Sequence, residues 1–473
     1  MSKTFFECGL YTREAIFNLF FREAPDKNNW AVVSGTRDAI AVAKALGNQP
    51  SSFFEIFLPG PSYAPFREWL SNIRFTGSIW AMEEGEIAFP GQPVMIVKAP
   101  LIEAQVLETP MLSILNHQMG VATKASRVTR STGKPVSEFG SRRAHGLWAA
   151  EHGAKAAYIG GCSNSSNILG KVNFDVPCTG TMAHSFVTAF GCTPKTEQLA
   201  FETYIRSHIG EPLILLLDTY DTLRSGIHHA IAAFQNCGIN DSYMPIYGIR
   251  LDSGDLAYLS VECRKLLDAA GLTACKITVS NSLDEYLIAD LERQHAAIDY
   301  YGVGDTIATS KHNPCFGNVY KLVQVGDEPV LKRSEDKGKV INPGFQQTYR
   351  IIQKGEYKAD VTCLFRDGMS QAIESGQGIV LRAESDATKQ TFYPEGSYTY
   401  KILQKKMMQG GEVVAPEPTI HQKRAYYLDN LMHLNPTERR IINPHFHKVN
   451  ISDDLYNLKT KLLYDIQREL NPR

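Results

Sequence analysis

The sequence predicts an α/β protein built around a parallel sheet, on three observations. A short apolar run ending in a small polar cluster recurs six times between residues 154 and 305. Segments with helical spacing of apolar residues lie between the later runs. One run, Leu213-Ile-Leu-Leu-Leu217, is apolar without alternation, the mark of a strand buried on both faces. Strands alternating with helices pair in parallel, with helices covering both sheet faces or a barrel wall.

The runs follow in order. Ala154-Lys-Ala-Ala-Tyr-Ile159 leads into Gly-Gly-Cys-Ser-Asn-Ser-Ser, and Val176-Pro-Cys leads into Thr-Gly-Thr-Met-Ala-His184. Leu213–Leu217 ends in Asp218-Thr-Tyr-Asp-Thr222, and Ile246–Leu251 ends in Asp252-Ser-Gly-Asp255. Ile277-Thr-Val-Ser-Asn-Ser282 and Ile298–Asp305 complete the set. Leu256–Leu267, stopped by Gly271, and Leu283–Glu292 carry helical spacing. Catalytic groups of β/α barrels sit at the C-terminal ends of the strands, where these polar clusters fall. One such cluster is ordinary loop chemistry; six in succession point to one rim.

The flanks differ. Residues 1–100 mix short helices and strands, including Pro93–Lys98. From about residue 312 the chain becomes strand-rich, with Gly317–Val325, Thr348–Ile352 and Gly378–Arg382. Gly410–Pro418 reads as a loop, and Asp453–Leu470 as an amphipathic helix capped by Ser452 or Asp453. The expected division is a flanking α/β domain from 1–105 and 312–400, a barrel-like catalytic domain at 106–311, and a C-terminal extension at 401–473.

Composition narrows the function classes. Net charge is −1, so no global field favours nucleic acid or an anionic membrane. No apolar run is long enough to span a bilayer, and the first residues lack the core of a signal peptide. Nine cysteines without a C-x-x-C pair fit reduced thiols and a cytoplasmic protein.

The rim residues suit a phosphorylated ligand. Arg142, Arg143 and Arg250 are fixed cations fitted to carboxylate or phosphate. Gly302-Val-Gly304 can turn backbone N–H groups towards a phosphate. Asp218, Asp221, Asp252 and Asp255 can hold Mg²⁺ or grip ribose hydroxyls, although Asp252-Ser-Gly-Asp255 also reads as a helix N-cap with Asp255 in the first turn. His184 stands among small residues, open to a ligand. His145, His208, His228 and His229 read as structural or surface residues.

Taken together the motifs resemble the nicotinate phosphoribosyltransferase family. They are Phe20-Phe-Arg22, Glu108-Thr-Pro110, Glu138-Phe-Gly-Ser-Arg-Arg-Ala-His-Gly146, Gly180–Val187, Asp218–Thr222, Gly248–Asp255, Ser280–Glu285 and Gly302–Gly304. Lys332-Arg-Ser-Glu335 and Asn342-Pro-Gly-Phe345 extend the likeness, which covers about residues 5 to 365 in order.

The resemblance implies an incomplete β/α barrel of the type II phosphoribosyltransferases beside an α/β domain built from both flanks. It implies a reaction joining nicotinic acid to phosphoribosyl pyrophosphate (PRPP), giving nicotinate mononucleotide and pyrophosphate with coupled ATP hydrolysis. It implies Mg²⁺, no nucleic-acid or membrane partner, and a homodimer with shared active sites. Phe139 matches the aromatic that stacks on the pyridine ring, Arg142 an arginine near base and phosphates, and Arg250 with Asp252 the PRPP-contacting pair. Gly302 and Gly304 match the 5′-phosphate turn, and His184 the histidine phosphorylated by ATP; imidazole is a competent nucleophile near pH 7. Ser165, Ser166, Thr181, Asp218 and Ser280 fall among the substrate-binding positions, and Asp218 and Asp221 among metal ligands.

One difference bears on substrate. The related nicotinamide enzyme has an aspartate in the loop after the first of these strands, whereas Gly160-Gly-Cys-Ser-Asn-Ser-Ser-Asn167 has no acid, which suits a base carrying a carboxylate. The alternatives are nicotinamide or quinolinate phosphoribosyl transfer, and a catalytically silent barrel. The type I class is disfavoured, because the Asp453-Asp454 pair precedes the terminal helix instead of ending a strand. The family usually opens with a segment like Thr-Asp-Leu-Tyr-Gln-Leu-Thr-Met, whose tyrosine covers the base across the dimer. The chain starts at about where that segment ends: either the native start lies upstream of Met1, the favoured expectation, or the covering aromatic comes from elsewhere, or activity is impaired. Asp305 stands where the family commonly has Thr, and its carboxylate must turn from the phosphate or act through Mg²⁺.

Overall fold

Six short parallel strands make the central sheet: β1 (Val136–Glu138), β2 (Asn164–Ser165), β3 (Leu213–Leu216), β4 (Tyr247–Leu251), β5 (Lys276–Ser280) and β6 (Tyr300–Val303). They pair in the order β2-β1-β6-β5-β4-β3, every ladder parallel. Taken as a circle, that is chain order with a gap between β2 and β3, so the sheet is an incomplete barrel. The computed structural model describes residues 1–47, 49–334, 339–383 and 386–471; Glu335 of the Lys332–Glu335 motif lies outside them. The chain divides into residues 1–123 with 313–473, and residues 124–312.

In residues 124–312, four of the six apolar runs form strands β3 to β6. The run at 154–159 instead lies inside helix Leu147–Ile159, which has five alanines in its 13 residues. Alanine is the strongest helix former, and this helix buries its small side chains closely. The run at Val176 makes a single bridge, Ser165 to Cys178, because Pro177 lacks a donor to extend it. Strand β1 had no run of its own: three residues, Val-Ser-Glu, are too few to show a period. Helix Leu256–Ala269 stops before Gly271 (φ +78°), and Glu285–Arg293 is capped by Asp284 accepting from the Tyr286 and Leu287 N–H groups.

Residues 1–123 with 313–473 hold a seven-stranded antiparallel sheet. Its order is Glu328–Pro329, Asn318–Val325, Glu14–Phe21, Met95–Pro100, Ser78–Ala81, Lys405–Gln409 and Glu412–Val413. A second sheet of six strands is centred on Gln346–Gln353, Glu356–Leu364 and Val449–Ile451. The segment beyond residue 400 thus supplies strands to both. Its last helix, Asp453–Leu470, is capped by Ser452, whose hydroxyl accepts from the Leu455 N–H. No helix among the described residues is long and apolar enough to cross a membrane, and all nine cysteines are free thiols.

The second sheet is organised around a buried cation. Arg350, fully buried, donates to both Asp360 oxygens at 2.9 and 2.8 Å and to Glu86 Oε1 at 2.7 Å. Glu86 Oε2 lies 2.7 Å from Lys401 Nζ, and Asp360 faces His447 at 3.4 Å. Burial opposes ionisation of both carboxylates, but Arg350 on Asp360, and Lys401 with Arg350 on Glu86, hold them below the usual carboxylate range. Burial likewise opposes a charge on His447, yet Asp360 and Glu438 raise it above the ordinary histidine value.

Among the described residues, removing the cation leaves Asp360 with only His447, and Glu86 with only Lys401, as a cationic partner. Arg350→Met is therefore expected to cost about 3–5 kcal/mol in urea unfolding at pH 7. Carboxylates lowered in the folded state contribute stability above their unfolded value of about 4, and lose it as pH falls through the folded value. The deficit of Arg350→Met should thus shrink below about pH 4. An equal deficit at both pH values would show that charge pairing is not what Arg350 supplies.

Candidate active site

The tips of the parallel strands surround a cavity of about 740 Å³. Strand β4 delivers its main polar groups by alternation. Tyr247, Ile249 and Leu251 turn into the core, while Gly248, Arg250 and then Asp252 face the other way. The Arg250 guanidinium, only 14% exposed, donates from Nη2 to Asp252 Oδ1 at 2.8 Å. It donates from Nε to Ser280 Oγ at 2.7 Å and from Nη1 to Thr181 Oγ1 at 2.8 Å. Ser280 in turn donates its hydroxyl to Asp252. One cation thus joins β4, the tip of β5 and the segment after the Ser165–Cys178 bridge.

Phe139 follows β1, its N–H bonded to Val303 O at 2.8 Å. Its ring lies 5.7 Å from the Arg250 guanidinium and sits close against Gly302. A Cβ at Gly302 would stand 2.7 Å from Phe139 Cδ2, so the ring occupies the place a side chain there would take. Gly302, Gly304 and Asp305 also line the cavity. The Asp305 carboxylate pairs with Lys311 at 3.3 Å. Arg142 and Arg143, both exposed, reach the cavity from the loop beyond Phe139.

His184 opens the short helix His184–Ala189, its side chain 43% exposed to the cavity. Its Nδ1 lies 3.1 Å from Thr219 Oγ1, and its Nε2 lies 3.9 Å from Asp218 Oδ1 and from Asp252 Oδ2. The ring is therefore held edge-on between a hydroxyl and two carboxylates.

The cavity therefore brings together Phe139, Arg142, Ser166, Thr181, His184, Arg250, Asp252, Ser280, Gly302 and Gly304. Three residues singled out from the sequence lie elsewhere. Ser165 is fully buried behind the rim and donates to Glu138 at 2.6 Å. Asp218 and Asp221 line an adjacent smaller cavity of about 340 Å³. Asp221 is committed to capping, accepting from the N–H groups of Leu223 and Arg224. Asp218 takes the Ser253 hydroxyl at 2.5 Å, while its Oδ1, on a side chain only 5% exposed, has no hydrogen-bond partner. Asp255 caps Leu256–Ala269 by accepting from the Tyr258 N–H. His229 is tied to buried Glu197 at 2.8 Å, a structural role. Thr219 and Ser253 were missed; each is a small hydroxyl next to a chosen aspartate at a strand tip. Among the described residues, no three His, Cys, Asp or Glu side chains cluster as a metal site.

Comparison with known proteins agrees across the whole chain. Residues 1–116 match the model of the nicotinate phosphoribosyltransferase N-terminal domain, and residues 345–459 that of its C-terminal domain. Nicotinate phosphoribosyltransferase of Bacillus subtilis is 36% identical over 99% of this chain and 94% of its own length. The Homo sapiens nicotinate phosphoribosyltransferase is 30% identical over 98% of this chain and 94% of its own. The crystal structure of human nicotinic acid phosphoribosyltransferase superposes with a TM-score of 0.83 at 27% identity, covering 97% of each chain.

The tight seat of the aromatic ring can be tested directly. Gly302→Ala is expected to push the Phe139 ring off the β6 tip and into the cavity. A crystal structure of the variant reads the ring position, and a ring that stays in place would refute the packing argument.

Proposed function

The chain belongs to the nicotinate phosphoribosyltransferase family, and we propose that its cavity joins nicotinic acid to PRPP, forming nicotinate mononucleotide and pyrophosphate for NAD synthesis. The observation that carries this reading is the Arg250–Asp252–Ser280–Thr181 cluster, which shares the wall of one cavity with an aromatic ring and a glycine turn.

In the reaction the pyridine nitrogen bonds to ribose C1 as the bond from C1 to the pyrophosphate oxygen breaks. Positive charge grows on C1 and negative charge on the leaving group. Arg250, and Arg142 at the mouth, are placed to stabilise the leaving pyrophosphate. Asp252, already oriented by Arg250 and Ser280, can accept from ribose hydroxyls and favour the positive C1. Phe139 offers its face to the pyridine ring, and the Gly302-Val-Gly304 turn can offer backbone N–H groups to the 5′-phosphate. The loop at 160–167 presents no acid to the nicotinate carboxylate. There Asn167 spends its amide on Gly170 and Ser141, leaving Ser166 on the cavity wall.

A magnesium ion would neutralise pyrophosphate charge. The unpartnered Oδ1 of Asp218 fits such an ion, with Asp221 beside it and most ligands coming from phosphates and water. ATP coupling is assigned to His184: its imidazole displaces ADP from the γ-phosphorus of ATP, forming an N–P bond, with Thr219 orienting the ring. We also read the exposed apolar residues Leu147, Trp148, Ile168 and Val172, on two helices leading from the rim, as the face of a homodimer. The free thiols suit a reducing cytosol.

Purified protein supplied with nicotinic acid, PRPP, Mg²⁺ and ATP should form nicotinate mononucleotide, and nicotinamide should be a poor substitute. Absence of product despite PRPP binding would instead favour a silent barrel. His184→Ala should abolish stimulation by ATP and leave slow base transfer. Stimulation that survives the substitution would remove His184 from that role.

A further inference from the structure

Glu138 ends β1 directly beneath the cavity and is 2% exposed. Buried carboxylates ordinarily face a cation. Among the described residues Glu138 faces none, and its bonds run to the strand tips. One oxygen accepts from the Gly140 N–H, and the other accepts from the Ser165 hydroxyl at 2.6 Å. Ser165 Oγ in turn accepts from the Asn167 N–H at 3.0 Å, and the Glu138 carbonyl accepts from the Ser166 N–H at 2.9 Å. Asn167 closes the ring by donating to Ser141 Oγ at 3.0 Å. The tip of β6 is registered to the same point, since a Cβ at Gly140 would stand 2.5 Å from Gly304 O. Phe139, Ser141 and Ser166, the cavity residues nearest this cluster, are each bonded within it or adjacent to an atom that is.

We propose that Glu138 is the positioning residue of the base seat: its buried carboxyl clasps the β1 and β2 tips and so fixes Phe139 against the Ser166 loop, the slot for a flat pyridine carboxylate. The proposal rests on the reading of Phe139 as the base-stacking ring. Burial raises the Glu138 carboxyl above its ordinary value, opposed by the bonds from Ser165 and Gly140. This burden, with no cation to relieve it, is accounted for by the loops it holds. Small drifts of a seat are costly, because in-line attack depends on sub-ångström placement.

Glu138→Ala, Glu138→Gln and Ser165→Ala test this. Glu138→Ala leaves two buried donors without acceptors and should raise KM for nicotinic acid by about tenfold or more. KM for PRPP should move by no more than about twofold, because Arg250 and Asp252 keep their own partners. Glu138→Gln keeps an acceptor for Gly140 and offers Ser165 an amide donor, so it should restore most of the loss. Ser165→Ala cuts one leg of the clasp and should give a smaller rise of about threefold. Amide exchange, which needs no turnover, should quicken about tenfold or more at Gly140 and Asn167 in Glu138→Ala while 247–251 keeps its protection. Equal rises in both KM values, no rescue by Gln, or unchanged exchange at the two loops would overturn the proposal. Wild-type protein inactive with nicotinic acid would defeat the functional reading instead, and the exchange data alone would then decide whether Glu138 is a clasp.

Discussion

A guanidinium set among strand tips constrains the site more than any other group. Arg250 is largely withdrawn from water, so its donors must be met by the protein. They are met by residues from β4, from β5 and from the segment carrying Thr181, with the Phe139 ring of the β1 tip near its face. A planar fork of donors accepts few arrangements of partners. Its satisfaction therefore sets how four separate stretches of chain meet. The remaining rim chemistry is arranged around that meeting point: Arg250 and Ser280 both donate to one oxygen of Asp252, and its other oxygen looks towards His184.

The same logic appears in residues 1–123 with 313–473, with a different outcome. Arg350 too is met by acceptors from several strands, but it is sealed on every side. Its partners are carboxylates, so charge is cancelled in place and nothing is left to offer a ligand. Arg250 has a single carboxylate and two hydroxyls, which leaves residual positive potential at an open mouth. The count of anions around each guanidinium thus separates the sealed arginine from the one left open to a ligand.

How much of this could be read in the residues depended on range. Leu213–Leu216 and Leu256–Ala269 were clear, because burial on both faces and a 3.6-residue period are local signatures. Ala154–Ile159 was not, since a six-residue apolar run has no period to separate strand from helix, and the alanines that decide for helix continue upstream of it, at Ala149 and Ala150. The rim residues Phe139, His184, Arg250 and Gly304 were legible from motif and position, and the fold brings them to one cavity. Asp218 and Asp221 were legible as a pair of acids, but not as belonging to the neighbouring cavity, which depends on how the turn after β3 curls. Thr219 and Glu138 have no local mark. A hydroxyl touching an imidazole 35 positions away, and a carboxyl buried without a cation, become visible only in three dimensions.

The gap between β2 and β3 has its own meaning. Where a closed barrel would have another strand, this sheet has the stretch from Ser166 to Pro212, which touches β2 by one bridge and then carries Thr181 and His184 to the rim. Backbone there is freed from ladder register, so its length can change without shifting any neighbour by a pleat. His184 is thus mounted on an adjustable bracket, while Arg250 and Phe139 stand on or directly after strands of the ladder, as on fixed rails. Insertions or deletions in this one seam would therefore re-aim His184 at the cavity without a change of register anywhere in the six-stranded sheet.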